Sequence, residues 1–120
     1  MSGYIVRDLG PLATVTSSGG AAVSNTFGHL DDAEAITIFF TSSALSSAAA
    51  VQVSMFDPAD TFPQGGVTQS SAWFTLANSA TSAGAIQISP AAFRGLRLSI
   101  TATSSGKGEV IAWAVKQIFV

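Results

Sequence analysis

Apolar and polar residues alternate along most of this chain with a period of two, as they do in β-strands that are buried on one face. Segment 96–103 (LRLSITAT) places its leucines, isoleucine and alanine on one side and its arginine, serine and threonines on the other. Segment 110–115 (VIAWAV) is apolar on both sides. Such a strand is expected at the centre of a sheet that is covered on both faces, or at an interface.

Four more segments have the composition of strands, and none shows the 3.6-residue period of a long amphipathic helix. These segments are 35–41 (AITIFFT), 48–56 (AAAVQVSMF), 71–77 (SAWFTLA) and 85–89 (AIQIS). In 48–56 the alternation predicts that Val51, Val53 and Met55 point inward and that Gln52 and Ser54 point outward. Turn-forming residues follow at 17–20, 42–47, 78–84 and 104–108.

The N-terminal segment supplies one more strand candidate, Tyr4 to Asp8. Gly10-Pro11 is expected to end it, because proline has no N–H to donate to a β-ladder. Residues 1–11 are therefore predicted to form an edge strand or a projecting arm. For the whole chain, 1–120, we predict a single all-β domain, an antiparallel β-sandwich of about eight strands. Immunoglobulin-like and barrel topologies stay open, but this strand number favours a jelly-roll-like arrangement.

Charge is scarce in this sequence. Charged residues make up 10% of the 120 residues, the formal net charge is −2, and cysteine is absent. Soluble domains usually carry about 25% charged residues. We expect part of the surface to be covered by copies of the chain or by a partner, in a homo-oligomer such as a dimer or trimer. Without a basic cluster, nucleic acid is not expected as a partner.

Two features of the sequence bear on the cellular compartment of the protein, its first ten residues and its lack of cysteine. The first ten residues, MSGYIVRDLG, lack the basic and apolar regions of a secretory signal, and no run of 18 apolar residues occurs. We therefore expect neither export by that route nor a membrane partner. The lack of cysteine fits maturation in a reducing cytoplasm.

Candidate catalytic and metal-binding groups are few. His29 lies near Asp31 and Asp32 in the acidic segment 28–34, which is predicted to be a surface loop or one helical turn capped by Asp31. A Ser-His-Asp arrangement would have to use this one histidine. Asp57 is better interpreted as the residue that begins a turn than as a calcium ligand. We predict no enzyme activity, no catalytic or metal site and no cofactor.

Contacts with other proteins are the more promising chemistry. The longest irregular segment, 57–70, contains Phe62 and is a candidate contact loop. Trp73 either stacks on a sugar or packs in an oligomer, and its exposure would separate the two, whereas Trp113 is predicted to be buried. Arg97 either solvates its strand or forms a salt bridge with another subunit. The complete set of contact candidates is Tyr4, Val6, Arg7, Phe62, Trp73, Arg94 and Arg97.

Much of the chain resembles a known class of proteins. Segment 86–98 (IQISPAAFRGLRL), followed by a strand, a Gly-rich turn and the terminal KQIFV, is similar to the C-terminal half of small virion proteins of tailed bacteriophages, and Val51 to Ser54 (VQVS) matches the preceding strand. The similarity covers roughly residues 35 to 120. It implies a β-sandwich capsid decoration, or cement, protein that binds the outer shell as an oligomer.

The expected function follows from this resemblance and from the low charge. The expected partner is the major capsid protein, and the expected location is the capsid surface of a virion assembled in the host cytoplasm. Two alternatives stay open, namely a carbohydrate-binding or receptor-binding β-sandwich module and a structural component of a phage tail or neck. A sugar-binding module would need an exposed Trp73 with Arg97 or Gln87 nearby.

Overall fold

The structure is a computed structural model that describes residues 3–16, 22–40, 49–80, 84–100 and 108–119. The turns predicted at 17–20 and 42–47 lie outside the described residues, as does almost all of the turn predicted at 104–108.

The described residues form β-strands, turns and loops and contain no helix, which confirms the all-β prediction. Every strand pairing is antiparallel. The strands are β1 (Tyr4–Thr16), β2 (Ala22–Val23), β3 (Ala33–Phe40), β4 (Ala49–Ser54), β5 (Trp73–Ala80), β6 (Gly84–Ile88), β7 (Gly95–Ile100) and β8 (Gly108–Phe119).

The strands form two four-stranded sheets that share one hydrophobic core. The first sheet has the order β1-β8-β3-β6 and the second the order β2-β7-β4-β5. Fully buried side chains come from both, including Leu12 and Ile38 in the first sheet and Val51 and Leu98 in the second. Since β8 lies between β1 and β3, the predicted central position of the segment 110–115 is confirmed.

Alternation along β3 follows the sequence prediction closely. Ile36 and Ile38 are fully buried and Phe40 is 3% exposed, whereas Phe39, which points to the other side of the sheet, is 45% exposed. In β7 the side chains of Leu96 and Leu98 are likewise fully buried.

The burial expected from the inward and outward positions of β4 is wrong at its end. Ser54 is buried although its pairing with Gly95 and Trp73 places it on the same side of the sheet as Gln52, and Met55, just after the strand, is exposed. Gly95 lies opposite Ser54, and a Cβ atom on Gly95 would come within 3.1 Å of the Ser54 Cβ, so the bare glycine backbone covers this serine. The buried hydroxyl oxygen of Ser54 accepts a hydrogen bond from the Phe56 N–H at 3.1 Å, which reduces the cost of its burial.

The prediction that Gly10-Pro11 ends the first strand is also wrong. β1 runs continuously from Tyr4 to Thr16, with an irregularity in its pairing between Asp8 and Gly10. It forms one edge of the first sheet, where the N–H that proline lacks can face away from the ladder. Gly10 has φ 120°, a backbone conformation that would be strained in a residue with a side chain. This glycine lies at the point where the pairing of β1 with β8 shifts.

The segment 28–34 forms a turn rather than a capped helical turn. Leu30 is buried in the core, and its carbonyl oxygen accepts a hydrogen bond from the Ala33 N–H at 3.0 Å. The buried Leu30 side chain anchors this otherwise polar loop to the core just before β3 begins.

Replacing Leu96 with alanine tests the shared core. We expect the free energy of unfolding to fall by about 2–5 kcal/mol, because the side chain is fully buried and its removal leaves a cavity. Val23→Ala is the control, because Val23 is 51% exposed, and it should cost less than about 1 kcal/mol. Urea denaturation measures both values. Equal losses for the two variants would contradict this assignment of the core.

Candidate protein-contact surfaces

The first sheet has a side that points away from the core, which we call the outer face. Directly paired residues on neighbouring strands lie on the same side of a sheet. The pairings place Pro11, Trp113, Phe39 and Ala85 in one row across β1, β8, β3 and β6. Phe39 and Trp113 are 45% and 41% exposed, so this row presents two neighbouring aromatic rings to solvent.

Trp113 was predicted to be buried, and this prediction is wrong. Its neighbours in sequence, Ala112 and Ala114, take the two buried positions instead. An apolar strand has two apolar faces, and the local sequence does not say which one meets the second sheet. The small alanine side chains face the core, and the bulky indole remains on the outer face.

A second aromatic group lies at the other end of the outer face. Tyr4 pairs with Phe119, and their rings meet edge to face with centroids 5.2 Å apart. Both residues are 56% exposed, and Val6, two residues along β1, is 67% exposed. The contact candidates Tyr4 and Val6 therefore belong to one surface with Trp113, which was not among those candidates.

Between these two ends, the outer face is mixed in character. Asp8, Val115, Thr37 and Gln87 form the intervening row, of which Asp8 carries a charge. Arg7, the remaining candidate on β1, is exposed but lies one residue out of phase with this row and pairs with Lys116. Arg7 is therefore not part of the outer face.

The second sheet carries a compact group around Arg97. The guanidinium carbon of Arg97 lies 4.4 Å from the centroid of the Trp73 ring, and its Nε donates to Oε1 of Gln52 at 2.7 Å. Gln52 Nε2 in turn lies 3.1 Å from Oγ1 of Thr75. Partial burial lowers the pKa of the Arg97 guanidinium, which stays charged at neutral pH.

This arrangement does not favour a sugar-stacking site. Trp73 is half-buried, and Arg97 lies over one face of its ring, so that face is not open to a sugar. Gln87 belongs to β6 of the first sheet, whereas Trp73 and Arg97 belong to the second. Of the two polar residues named for the carbohydrate-binding alternative, Arg97 lies beside Trp73 and Gln87 does not, but the half-buried Trp73 is not the exposed ring that this alternative requires.

Arg94 pairs within its own chain. Its Nε donates to Asp31 Oδ1 at 3.0 Å, and its terminal nitrogen lies 3.3 Å from the Met55 carbonyl oxygen. These residues border an open cavity of about 390 Å³ with Leu30, Ala91, Ala92 and Phe93. Phe93 is partly buried and packs against the core. Because Arg94 already pairs with the carboxylate of Asp31, it is less available to bind an acidic group of a partner.

The contact loop is anchored at its start by Asp57. One carboxylate oxygen accepts from the Ala59 N–H at 2.9 Å, as predicted for a turn-initiating residue, and the other accepts from the His29 N–H at 2.8 Å. These two hydrogen bonds lower the pKa of the Asp57 carboxyl below its usual value. Further along, Phe62 is half-buried and its ring packs edge to face on Phe56, at 5.7 Å between centroids.

The polar residues near His29 are divided among separate partners. His29 Nδ1 lies 3.4 Å from Asp57, Asp31 binds Arg94, and Asp32 binds Lys116 at 2.7 Å. The hydrogen bond from Lys116 lowers the pKa of Asp32. No group of three or more His, Cys, Asp or Glu side chains suited to a metal ion occurs among the described residues. Within the same residues, no helix is long and apolar enough to span a membrane.

No protein-family model matches the chain, and no curated protein matches it in sequence.

The variant Asp57→Asn tests how the Asp57 carboxylate connects the contact loop to the segment 28–34. The quantity of interest is the pH dependence of the free energy of unfolding. Because the folded-state pKa of Asp57 is depressed, its carboxylate stabilises the fold above the unfolded-state pKa of about 3.9, and this contribution is lost as pH falls through the folded-state value. We expect Asp57→Asn to be less stable than wild type at pH 7. The difference should shrink as the pH is lowered below about 4.

Thermal unfolding of both proteins between pH 7 and pH 2 measures this difference. Asp60→Asn is the matched control, because Asp60 is an exposed aspartate of the same loop. Its effect should be small at every pH. A difference for Asp57→Asn that does not change with pH would contradict the proposed role of the charged carboxylate.

Proposed function

We propose that this chain is a non-enzymatic structural protein of a bacteriophage virion, a decoration protein that binds the outside of the capsid as an oligomer and stabilises the shell. The observation that carries the proposal is the outer face, where aromatic and apolar side chains of a well-paired sheet are left exposed. Binding of this kind requires area and shape rather than reactive groups. The proposed partner is the major capsid protein, at the capsid surface.

We further propose that the fold is a jelly-roll β-sandwich. Strand pairs β1·β8, β2·β7, β3·β6 and β4·β5 match first with last, second with second-last, and so on to the middle of the chain. This is the pattern of one long hairpin that has been rolled into two sheets, as in the double Greek key of a jelly roll. The proposal is supported by the remaining pairings, β3·β8 and β4·β7, which close the roll.

The size of the outer face bears on the oligomer. With strands about 4.8 Å apart and a rise of about 3.4 Å per residue, the face from Tyr4 to Pro11 covers roughly 350 Å² in projection. The largest exposed patch on an ordinary monomer is of about this size, roughly 300–600 Å², and it is often functional. One copy would bury about 700 Å² in total with a partner of equal area, less than the ~1,000 Å² typical of a stable interface. Several copies acting together would overcome this shortfall.

Capsid binding tests this proposal. The double variant Phe39→Ser, Trp113→Ser removes the aromatic pair from the outer face, and we expect its affinity for purified capsids of the phage that encodes the chain to fall at least tenfold. Loss of two partly exposed rings at a contact costs more than about 1.4 kcal/mol, which is a factor of ten. Co-sedimentation of protein with capsids over a range of concentrations measures the affinity.

The matched control is the double variant Met55→Ser, Phe74→Ser. These side chains are exposed to a similar extent, 51% and 52%, and lie off the outer face. Capsid affinity should stay within about threefold of wild type, since they are outside the proposed contact. Equal losses in both double variants would contradict the role of the outer face. A wild-type protein that binds purified tails and ignores capsids would overturn the decoration role.

A further inference from the structure

The edges of the two sheets differ in how they are protected from pairing with another strand. An unprotected edge offers unpaired N–H and C=O groups to any strand that can approach it. β1 carries charges at Arg7 and Asp8, a proline at position 11 and an irregular pairing. Within the described part of the chain, edge strand β2 spans two residues, Ala22–Val23. On these edges, regular pairing with a further long strand is disfavoured.

β5 is an edge strand with a different form of protection. Its pairing with β4 steps from Ala50↔Ser79 to Gln52↔Thr75, so β5 contains two more residues than β4 over this stretch. A bulge of this kind bends a strand and interrupts the row of groups that another strand would need.

β6 has none of these features. Its pairing with β3 runs without a shift from Ile36↔Ile88 to Phe40↔Gly84. The strand GAIQI contains no charged residue and no proline, and the whole stretch 61–93 around it is uncharged. Ala85 and Gln87 are exposed. Among the described edge strands longer than two residues, β6 alone combines regular pairing with a sequence that has no charge and no proline.

We propose that β6 pairs antiparallel with β6 of a second copy of the chain, about a two-fold axis at Ile86. In this register Ile86 meets Ile86, and Ala85 of each copy lies opposite Gln87 of the other. The strand is complementary to itself, since no like charges are opposed and the small Ala85 leaves room for the longer glutamine. The result is a continuous sheet in which the order β1-β8-β3-β6 is followed by its own reverse.

A second copy fits this edge better than a charged partner strand. The neutral row on β6 has no group to pair with an incoming charge, whereas a second β6 brings another neutral row. The outer faces of the two copies also become continuous, because Ala85 ends the row that contains Trp113 and Phe39. This inference deepens the proposed function by naming the oligomer contact, but it involves no capsid and is tested without one.

Charge placed on β6 tests both the contact and its register. In the double variant Ala85→Lys, Gln87→Lys, lysine opposes lysine twice in the dimer, which should weaken dimerisation at least about tenfold. In Ala85→Glu, Gln87→Lys, glutamate opposes lysine twice, and dimerisation should stay within about threefold of wild type or strengthen. The two variants change the same exposed positions, so they are matched in their effect on the isolated chain. A third variant, Ala85→Glu, Gln87→Glu, should form a heterodimer when mixed with the double-lysine variant.

Sedimentation equilibrium measures the distribution between the 12.2 kDa chain and a species of twice that mass. For so short an interface the dissociation constant should lie between about 1 µM and 1 mM. Circular dichroism melts check that each variant is folded. A wild-type protein that remains monomeric up to about 1 mM overturns the proposal. A wild-type dimer that the double-lysine variant leaves unchanged also overturns it, because another surface would then form the dimer. Failure of capsid binding with an intact β6 dimer would count against the proposed function alone.

Discussion

Strand β8 is the element on which the rest of the structure depends. It pairs along one edge with β1 and along the other with β3, so nearly all of the first sheet is assembled on it. Its inner side presents the small buried residues Ala112 and Ala114, which allow side chains of the second sheet to approach closely. The bulky Trp113 is left on the opposite side. The packing that closes the core thus also creates the exposed outer face on which the proposed function relies.

Four of the few charges of the chain are paired with one another within the molecule. Lys116 binds Asp32, Arg94 binds Asp31, and each pair connects segments that are far apart in sequence. Exposed pairs of this kind contribute little stability, about 0–1 kcal/mol, but they leave fewer charges to solvate the sheets. A protein that keeps most of its outer face and its β6 strand free of charge is suited to bind other protein surfaces. Both proposals rest on that distribution.

Much of the strand structure could be predicted because the alternation of apolar and polar residues is a local property. It placed Ile36, Ile38 and Leu98 on buried faces correctly. The candidate surface was only partly predictable. Tyr4 and Val6 were identified, whereas Trp113 was assigned to the interior, because an apolar strand looks the same from sequence whichever face is covered. Ser54 was missed for a similar reason, since its burial depends on Gly95 from a distant strand.

The sequence by itself determined that this is an all-β chain with a central apolar strand near its C-terminus, little charge and no evident catalytic group. These properties follow from composition and from the two-residue period of extended chain. Only the tertiary structure decided which side of β8 meets the core, that β1 continues through Pro11 at a sheet edge, and that β6 lies at the opposite edge of the same sheet. Each of these outcomes depends on pairing between segments far apart in the chain, and local alternation carries no information about which strand becomes the neighbour.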